Sequence, residues 1–283
     1  MKILITGING QVGHALMQYL TGHELIGLAR QDCDLANLDQ IKNVIDQHQP
    51  ELIINPAAYT KVDQAEDEPE LAFQINRDAP RVMAEKAREY NIPLIHFSTD
   101  YVFDGEKKEA YVETDPTNPL GIYGQSKLAG EEAIQEVGGR IYIFRTSWVY
   151  SNIGHNFYLT MKRLSTERDE LKVVADQLGV PTSNQFIAEQ MKTIIPLLDE
   201  NNTGIYHLVP DGSCSWHEFT KTIISQANPD FNLEKLHAIQ THEFPTKTKR
   251  PKNSILNNAK IKQSFNLTLN NWQAELGKVI DEA

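Results

Sequence analysis

Cysteine is scarce in this chain. Cys33 and Cys214 are the only two in 283 residues, far apart and without the close spacing that a structural zinc or a disulfide framework requires. Reduced thiols are expected, and a zinc-built fold is set aside. Long apolar runs are missing as well, since none approaches the roughly 18 residues that cross a bilayer. The opening MKILITG lacks the basic start and the apolar stretch of a secretory leader, so the expectation is a cytoplasmic protein with no membrane partner. Positive charge is also short, with 27 Lys and Arg against 38 Asp and Glu and a formal net charge of -11. Binding along a phosphate backbone needs a face rich in Lys and Arg. No nucleic-acid partner is therefore expected, and a small anion would need a local pocket of positive groups. The nine histidines form no ligand pattern, so no metal is expected.

What the chain does have is alternation. Apolar, strand-like runs (KILITG, HELIGLAR, ELIINPAA, IPLIHFST, RIYIFRTSWVY, LKVVAD, GIYHLV) are separated by amphipathic, helix-like ones such as GQVGHALMQYL, NLDQIKNVIDQHQ, PELAFQINRDAPRVMAEKAREY and SKLAGEEAIQEV. Short apolar runs alternating with segments of 3.6-residue period predict repeated strand-helix-strand units. The fold class is α/β, with a doubly wound parallel sheet covered on both faces. Asn37 followed three residues later by Gln40 has the form of a capping box and marks one helix start. Beyond about residue 150 the alternation loosens, and THEFPTKTKRPKNSILN is polar, basic and proline-bearing. This predicts a smaller C-terminal lobe over the carboxyl edge of the sheet.

Directly after the first strand, TGINGQVG sets Gly7, Gly10 and Gly13 at triplet spacing. Glycines there let the backbone turn sharply, approach a pyrophosphate and pack the helix against the strand, with the helix N-terminus aimed at the charge. The second strand ends in Arg30, followed by Asp32 and Asp34, where dinucleotide folds read the adenosine ribose. An arginine pairs with a 2'-phosphate and an acid with a free 2'-hydroxyl. Arg30 therefore favours NADP(H), with NAD(H) possible if Arg30 is only a solvated strand end.

Gly121-Ile122-Tyr123-Gly124-Gln125-Ser126-Lys127 puts a tyrosine one helical turn before a lysine. The spacing alone says little, because an i,i+4 pair suits any exposed helix and Tyr158 to Lys162 repeats it. Context separates the two. Tyr123 follows a strand end bearing Ser98, Thr99 and Asp100, beside the crevice where open α/β sheets bind ligands.

Taken in order, TGINGQVG, NPAAYT, STDYVF and YGQSK resemble the extended short-chain dehydrogenase/reductase family, whose fold is of the Rossmann type. The runs RTSWVY, DQLGVPTS and RPKNSIL are similar to those of the dTDP-4-dehydrorhamnose reductases within it. The resemblance implies NADPH-dependent reduction of the C4 keto group of a dTDP-sugar, with Thr99, Tyr123 and Lys127 as the catalytic trio. Tyr123 would donate a proton, Lys127 would lower its pKa and hold the nicotinamide ribose, and Thr99 would bond the substrate carbonyl.

It further implies Gly10, Gln11 and Val12 at the pyrophosphate, Asp34 and Leu35 at the adenine, and Ala57, Ala58 and Tyr59 elsewhere on the cofactor. Asp100, Trp148 and Arg250 would contact the substrate, Arg250 by taking two phosphate oxygens at once, although Trp148 also fits a core aromatic. Residues 1–150 and about 183–208 would form the nucleotide-binding domain, and about 151–182 and 209–283 the substrate lobe. Members that dimerise through magnesium carry a glutamate just after the glycine loop; Gly13-His14-Ala15 has none, which leaves a monomer or a metal-free homodimer. A 4-epimerase, another 4-reductase and a non-catalytic regulatory subunit share the fold and stand as the alternatives.

Overall fold

In the computed structural model, which describes residues 1–282, the first half of the chain winds as the periodicity predicts. Strands β1 (Lys2–Thr6), β2 (Glu24–Leu28), β3 (Leu52–Asn55), β4 (Leu94–Thr99) and β5 (Ile141–Thr146) run parallel. Between them lie α1 (Gln11–Tyr19), α2 (Leu38–His48), α3 (Pro69–Phe73), α4 (Ala79–Glu89) and α5 (Ile122–Val137). Alternate residues of a strand face opposite ways. Ile3 and Ile5 of β1 thus join one core with Leu16, Phe97 and Met191, while Leu4 joins another with Ile41, Ile53, Met83 and Ile134. Both faces of the sheet are covered, as its unbroken apolar strands require.

The C-terminal half adds β6 (Val149–Tyr150), α6 (Phe157–Glu167), β7 (Leu171–Val174), β8 (Leu178–Gly179), β9 (Thr182–Ser183) and α7 (Asn184–Ile194). These are followed by β10 (Gly204–His207), β11 (Cys214–Ser215), α8 (Trp216–Ala227), β12 (Leu236–Ile239), α9 (Ala259–Phe265) and α10 (Trp272–Asp281). β10 returns to the main sheet beside β5, giving the order β10-β5-β4-β3-β1-β2. β7 instead pairs with β12 outside that sheet. Near it Tyr158, Phe219, Ile223, Trp272 and Leu276 form a separate apolar cluster.

Three local outcomes differ from the periodic expectation. The helix expected to run unbroken from Pro69 is interrupted by a π-helical stretch over Gln74–Asp78, which contains the buried Asn76; such bulges recur at functional sites. RIYIFRTSWVY is two strands, parted at Trp148, whose φ of 47° lies in the left-handed region. A non-glycine residue there costs on the order of 1–2 kcal/mol. At α2, Asn37 Oδ1 accepts from Gln40 N at 3.0 Å as expected, but Gln40 Oε1 accepts from Asp34 N, also at 3.0 Å. The return half of the capping box is thereby spent on the loop that joins β2 to the helix.

Candidate active site

The glycine loop is built for close approach. Gly7 has φ +62°, and a Cβ there would stand 2.8 Å from Ala57 Cβ, so Ala57 packs directly under the loop. A Cβ at Gly13 would clash with the carbonyl of Gly7, which explains how α1 lies so near β1. Gly10 is the N-cap of α1, with no side-chain cap and no acidic residue in the first turn. Uncapped backbone N–H groups with the positive end of the helix dipole behind them suit a pyrophosphate, so these residues fit the dinucleotide expected there. The side chain of Val12 is partly buried against the core, and that of Gln11 turns away, its Oε1 accepting from Ser151 Oγ at 2.7 Å and Asn156 Nδ2 at 2.9 Å. For both residues the backbone is the part at the loop.

At the end of β2, Arg30 is 77% exposed and lies 3.7 Å from Asp34. Asp34 Oδ1 accepts from Ala36 N, and Leu35 is buried in the core. At the end of β3, the backbone N of Tyr59 donates to Asn76 Oδ1 at 2.8 Å, and Asn76 Nδ2 donates to Tyr59 O and Ser126 Oγ. The π-helical stretch therefore ties the Ala57-Ala58-Tyr59 turn to α5. The Tyr59 hydroxyl is taken by Glu68 at 2.7 Å.

Tyr123 sits in the first turn of α5, whose start brings it to the carboxyl end of β4. There Thr99 Oγ1 donates to Asp100 Oδ1 at 3.1 Å and accepts from Tyr101 N at 3.2 Å. Withdrawal from water, with the Asp100 charge adding to it and the Thr99 hydroxyl opposing, pushes Tyr123 up to about 12. Asp100 is itself buried and pushed up to about 6 by that burial, with its Oδ2 lacking a hydrogen-bond partner. The lowering of Tyr123 expected from Lys127 is not the arrangement found. The Lys127 amine points under the sheet edge, donating to Phe97 O at 2.7 Å and meeting His96 Nε2 at 3.1 Å. Burial lowers Lys127 to about 8, against the opposing charge of Glu131.

Across the mouth runs the basic segment around Thr248. Thr248 N and Arg250 Nη2 both donate to Asp63 Oδ1 at 3.0 Å, and Lys247 pairs with Asp67. The Arg250 guanidinium lies 5.8 Å from the Tyr101 ring centroid, and that ring meets Tyr123 edge-on at 5.7 Å. Arg250, Tyr101 and Tyr123 thus form a row leading to the Thr99 strand end. Trp148 lies apart from the row, stacked on Trp216 at 3.5 Å and 9°.

His96, Asn76, Asp63 and the buried Glu131–Arg145 pair take part in this architecture without having stood out in the sequence. For His96 a signal was present. A histidine inside IPLIHFST, a strand buried on both faces, must find partners for both ring nitrogens.

Comparisons with known proteins identify the family and the fold. A family model described as the RmlD substrate binding domain matches residues 1–283. The chain is 40% identical to the dTDP-4-dehydrorhamnose reductase of Escherichia coli, covering 100% of this chain and 98% of that protein. A dTDP-4-dehydrorhamnose reductase structure from Clostridium acetobutylicum is similar at TM-score 0.94 and 38% identity, covering 100% of this chain and 99% of that one. The Bacillus anthracis dTDP-4-dehydrorhamnose reductase, solved in complex with NADP, is similar at TM-score 0.93 and 38% identity, with 100% of each chain covered. Among the described residues, no group of His, Cys, Asp and Glu could hold a metal, and no helix is long and apolar enough to cross a membrane.

Proposed function

The chain belongs to the family of the RmlD substrate binding domain, and from that premise we propose that it is an NADPH-dependent reductase of a nucleotide-linked keto sugar. Its reaction is reduction of the C4 keto group of dTDP-4-dehydro-L-rhamnose (dTDP-6-deoxy-L-lyxo-4-hexulose) to dTDP-L-rhamnose, a precursor of cell-surface polysaccharide. NADPH, when bound, supplies the hydride. Gly7, Gly10, Gln11, Val12 and Gly13 hold the pyrophosphate by their backbone. Arg30 takes the 2'-phosphate, Asp34 and Leu35 border the adenine, and Ala57, Ala58 and Tyr59 border the rest of the dinucleotide.

Thr99 bonds the substrate carbonyl and Tyr123 gives its phenolic proton to the developing alkoxide, a general-acid role. A tyrosine pushed up to about 12 keeps that proton through neutral pH, as an acid must. Lys127 holds the nicotinamide ribose. Arg250 takes the diphosphate, exchanging Asp63 for phosphate oxygens, while Asp100 and Trp148 contact the sugar nucleotide. Residues 1–150 and about 183–208 form the cofactor domain, and about 151–182 and 209–283 the substrate lobe, in a cytoplasmic monomer or homodimer.

The observation that supports this reading most is the meeting of the Thr99 strand end with the first turn of α5, on a sheet whose first helix opens uncapped beside the glycine loop. The test is to follow 340 nm absorbance with purified protein, NADPH or NADH, and dTDP-6-deoxy-L-lyxo-4-hexulose. Stoichiometric oxidation, faster with NADPH, is expected. No oxidation of either cofactor would overturn the reading; an epimerase gives no net oxidation and a regulatory subunit no turnover.

A further inference from the structure

A line of buried polar groups crosses beneath the sheet edge, from the strand that carries the glycine loop to the helix that carries Tyr123. Thr6 Oγ1, at the end of β1, donates to Asn55 Oδ1 at 2.6 Å. Asn55 Nδ2 lies 3.1 Å from His96 Nδ1, and His96 Nε2 lies 3.1 Å from Lys127 Nζ. All four residues are at most 2% exposed. Groups so far withdrawn from bulk solvent need a partner for each donor.

We propose that His96 is a positioning residue for the reaction above, and that the chain Thr6–Asn55–His96–Lys127 fixes both the place and the protonation state of the Lys127 amine. The reason is donor counting. An amide nitrogen only donates, so with Asn55 Nδ2 facing His96 the ring accepts at Nδ1 and carries its proton on Nε2. That proton points at Lys127, which must then accept it as a neutral amine while still donating to Phe97 O.

The ammonium has no lone pair and needs the other arrangement. His96 Nε2 then accepts, Nδ1 carries the proton, and the Asn55 amide turns over to present its oxygen to the ring and its nitrogen to Thr6. A hydroxyl can both donate and accept, so Thr6 satisfies either setting. The two protonation states of Lys127 thus correspond to two complete hydrogen-bond patterns, the change ending one residue before Gly7.

The other groups facing Lys127 complete the electrostatics. On α5 itself Glu131 favours the ammonium by its charge, while Tyr123 one turn earlier makes no hydrogen bond to the amine. From β5, Arg145 is committed to Glu131, with Nη2 to Oε2 at 2.6 Å and Nε to Oε1 at 2.9 Å. From beyond β4, Asp100 is held up to about 6 by burial. His96 is pushed well below the ordinary histidine range by burial and by Lys127, so the ring stays neutral and serves by its tautomer. Lys127, lowered to about 8, changes state close to neutral pH.

The inference rests on the proposed reduction, and the experiment separates the two. His96→Phe fills the space with no ring nitrogen, His96→Gln returns one amide near the Nε2 position, and Asn55→Ala cuts the chain one link away. The pH profile of kcat and the pH dependence of NADPH affinity, read by fluorescence titration without substrate, are measured for each and for wild type. His96→Phe is expected to lower kcat about 10- to 100-fold, leave the sugar-nucleotide KM within about threefold, and displace the basic limb of both profiles by half a pH unit or more. His96→Gln is expected to restore most of kcat, and Asn55→Ala to move the limb less than His96→Phe. If every variant that folds keeps the wild-type limb in both measurements, His96 only fills space and the proposal fails. If wild type oxidises no NADPH, the reductase reading fails, while the affinity profile still decides the role of His96.

Discussion

Tyr123 and Lys127 on α5, and Tyr158 and Lys162 on α6, have the same spacing and the same helical geometry in opposite surroundings. Tyr123 stands at the mouth of the sheet edge, beside the Thr99 and Asp100 strand end and against the Tyr101 ring. Tyr158 is 0% exposed in an apolar cluster with Tyr150 and Phe219, and its hydroxyl has no partner. The lysines differ more sharply. Lys127 is buried with two polar neighbours arranged for its amine, whereas Lys162 is half-buried with its amine 5.9 Å from the Tyr158 ring centroid. The pair proposed as catalytic thus differs from the packing pair in what receives the amine and what faces the hydroxyl, and the interval between them says nothing.

The substitution that most directly breaks this contrast is Tyr123→Phe, which is expected to lower kcat by two or more orders of magnitude, in line with general-acid contributions of about 10²- to 10⁴-fold. NADPH affinity should be kept, as checked by fluorescence titration. Thr99→Val removes the hydroxyl proposed to bond the carbonyl and is expected to cost about a hundredfold in kcat, measured in the same absorbance assay.

A smaller effect sharpens the lysine side of the comparison through stability. Burial lowers Lys127 from 10.5 to about 8, so between those values the unfolded chain binds its proton more tightly than the folded one. Stability rises with pH where the unfolded state holds more protons. The burial penalty is therefore present in full below about 8 and relieved as pH rises toward 10.5. His96, which also feels the Lys127 charge, is neutral throughout that window in both the folded and unfolded chain, so urea unfolding of wild type and Lys127→Met should show the wild-type stability gaining on the variant across it. A flat difference would mean that Lys127 is not desolvated. The smallest effect is expected at the other pair: Tyr158→Phe should leave kcat within about twofold and the melting temperature nearly unchanged, because the hydroxyl it removes has no partner. Equal loss of turnover at Tyr158 and Tyr123 would reverse the assignment.

The parts of the site legible in the sequence are those set by short-range chemistry. Gly7, Gly10 and Gly13 were readable because a strand-to-helix turn around an anion needs those glycines within a few residues. Thr99 and Arg30 were readable as strand ends, since apolar runs show where strands stop. Other features were not local. Nothing near Asn76 predicts a π-helical stretch, which depends on its side chain reaching Tyr59 and Ser126. Arg250 was singled out as a phosphate ligand, but its partner Asp63 lies 187 residues away. The resemblance implied that Lys127 acts on the Tyr123 hydroxyl, whereas its amine finds His96 Nε2 and Phe97 O on β4, about thirty residues earlier in the chain.

By itself the sequence determined the elements and their alternation, the glycine turn after the first strand and the side chains proposed to react, because propensity, period and glycine freedom act over a few residues. Tertiary structure alone decided which atoms receive the buried amine, and that Thr6, Asn55, His96 and Lys127 form one line. Hydrogen-bond satisfaction in a dry interior is a property of groups brought together from four separate segments, and no one of those segments contains it.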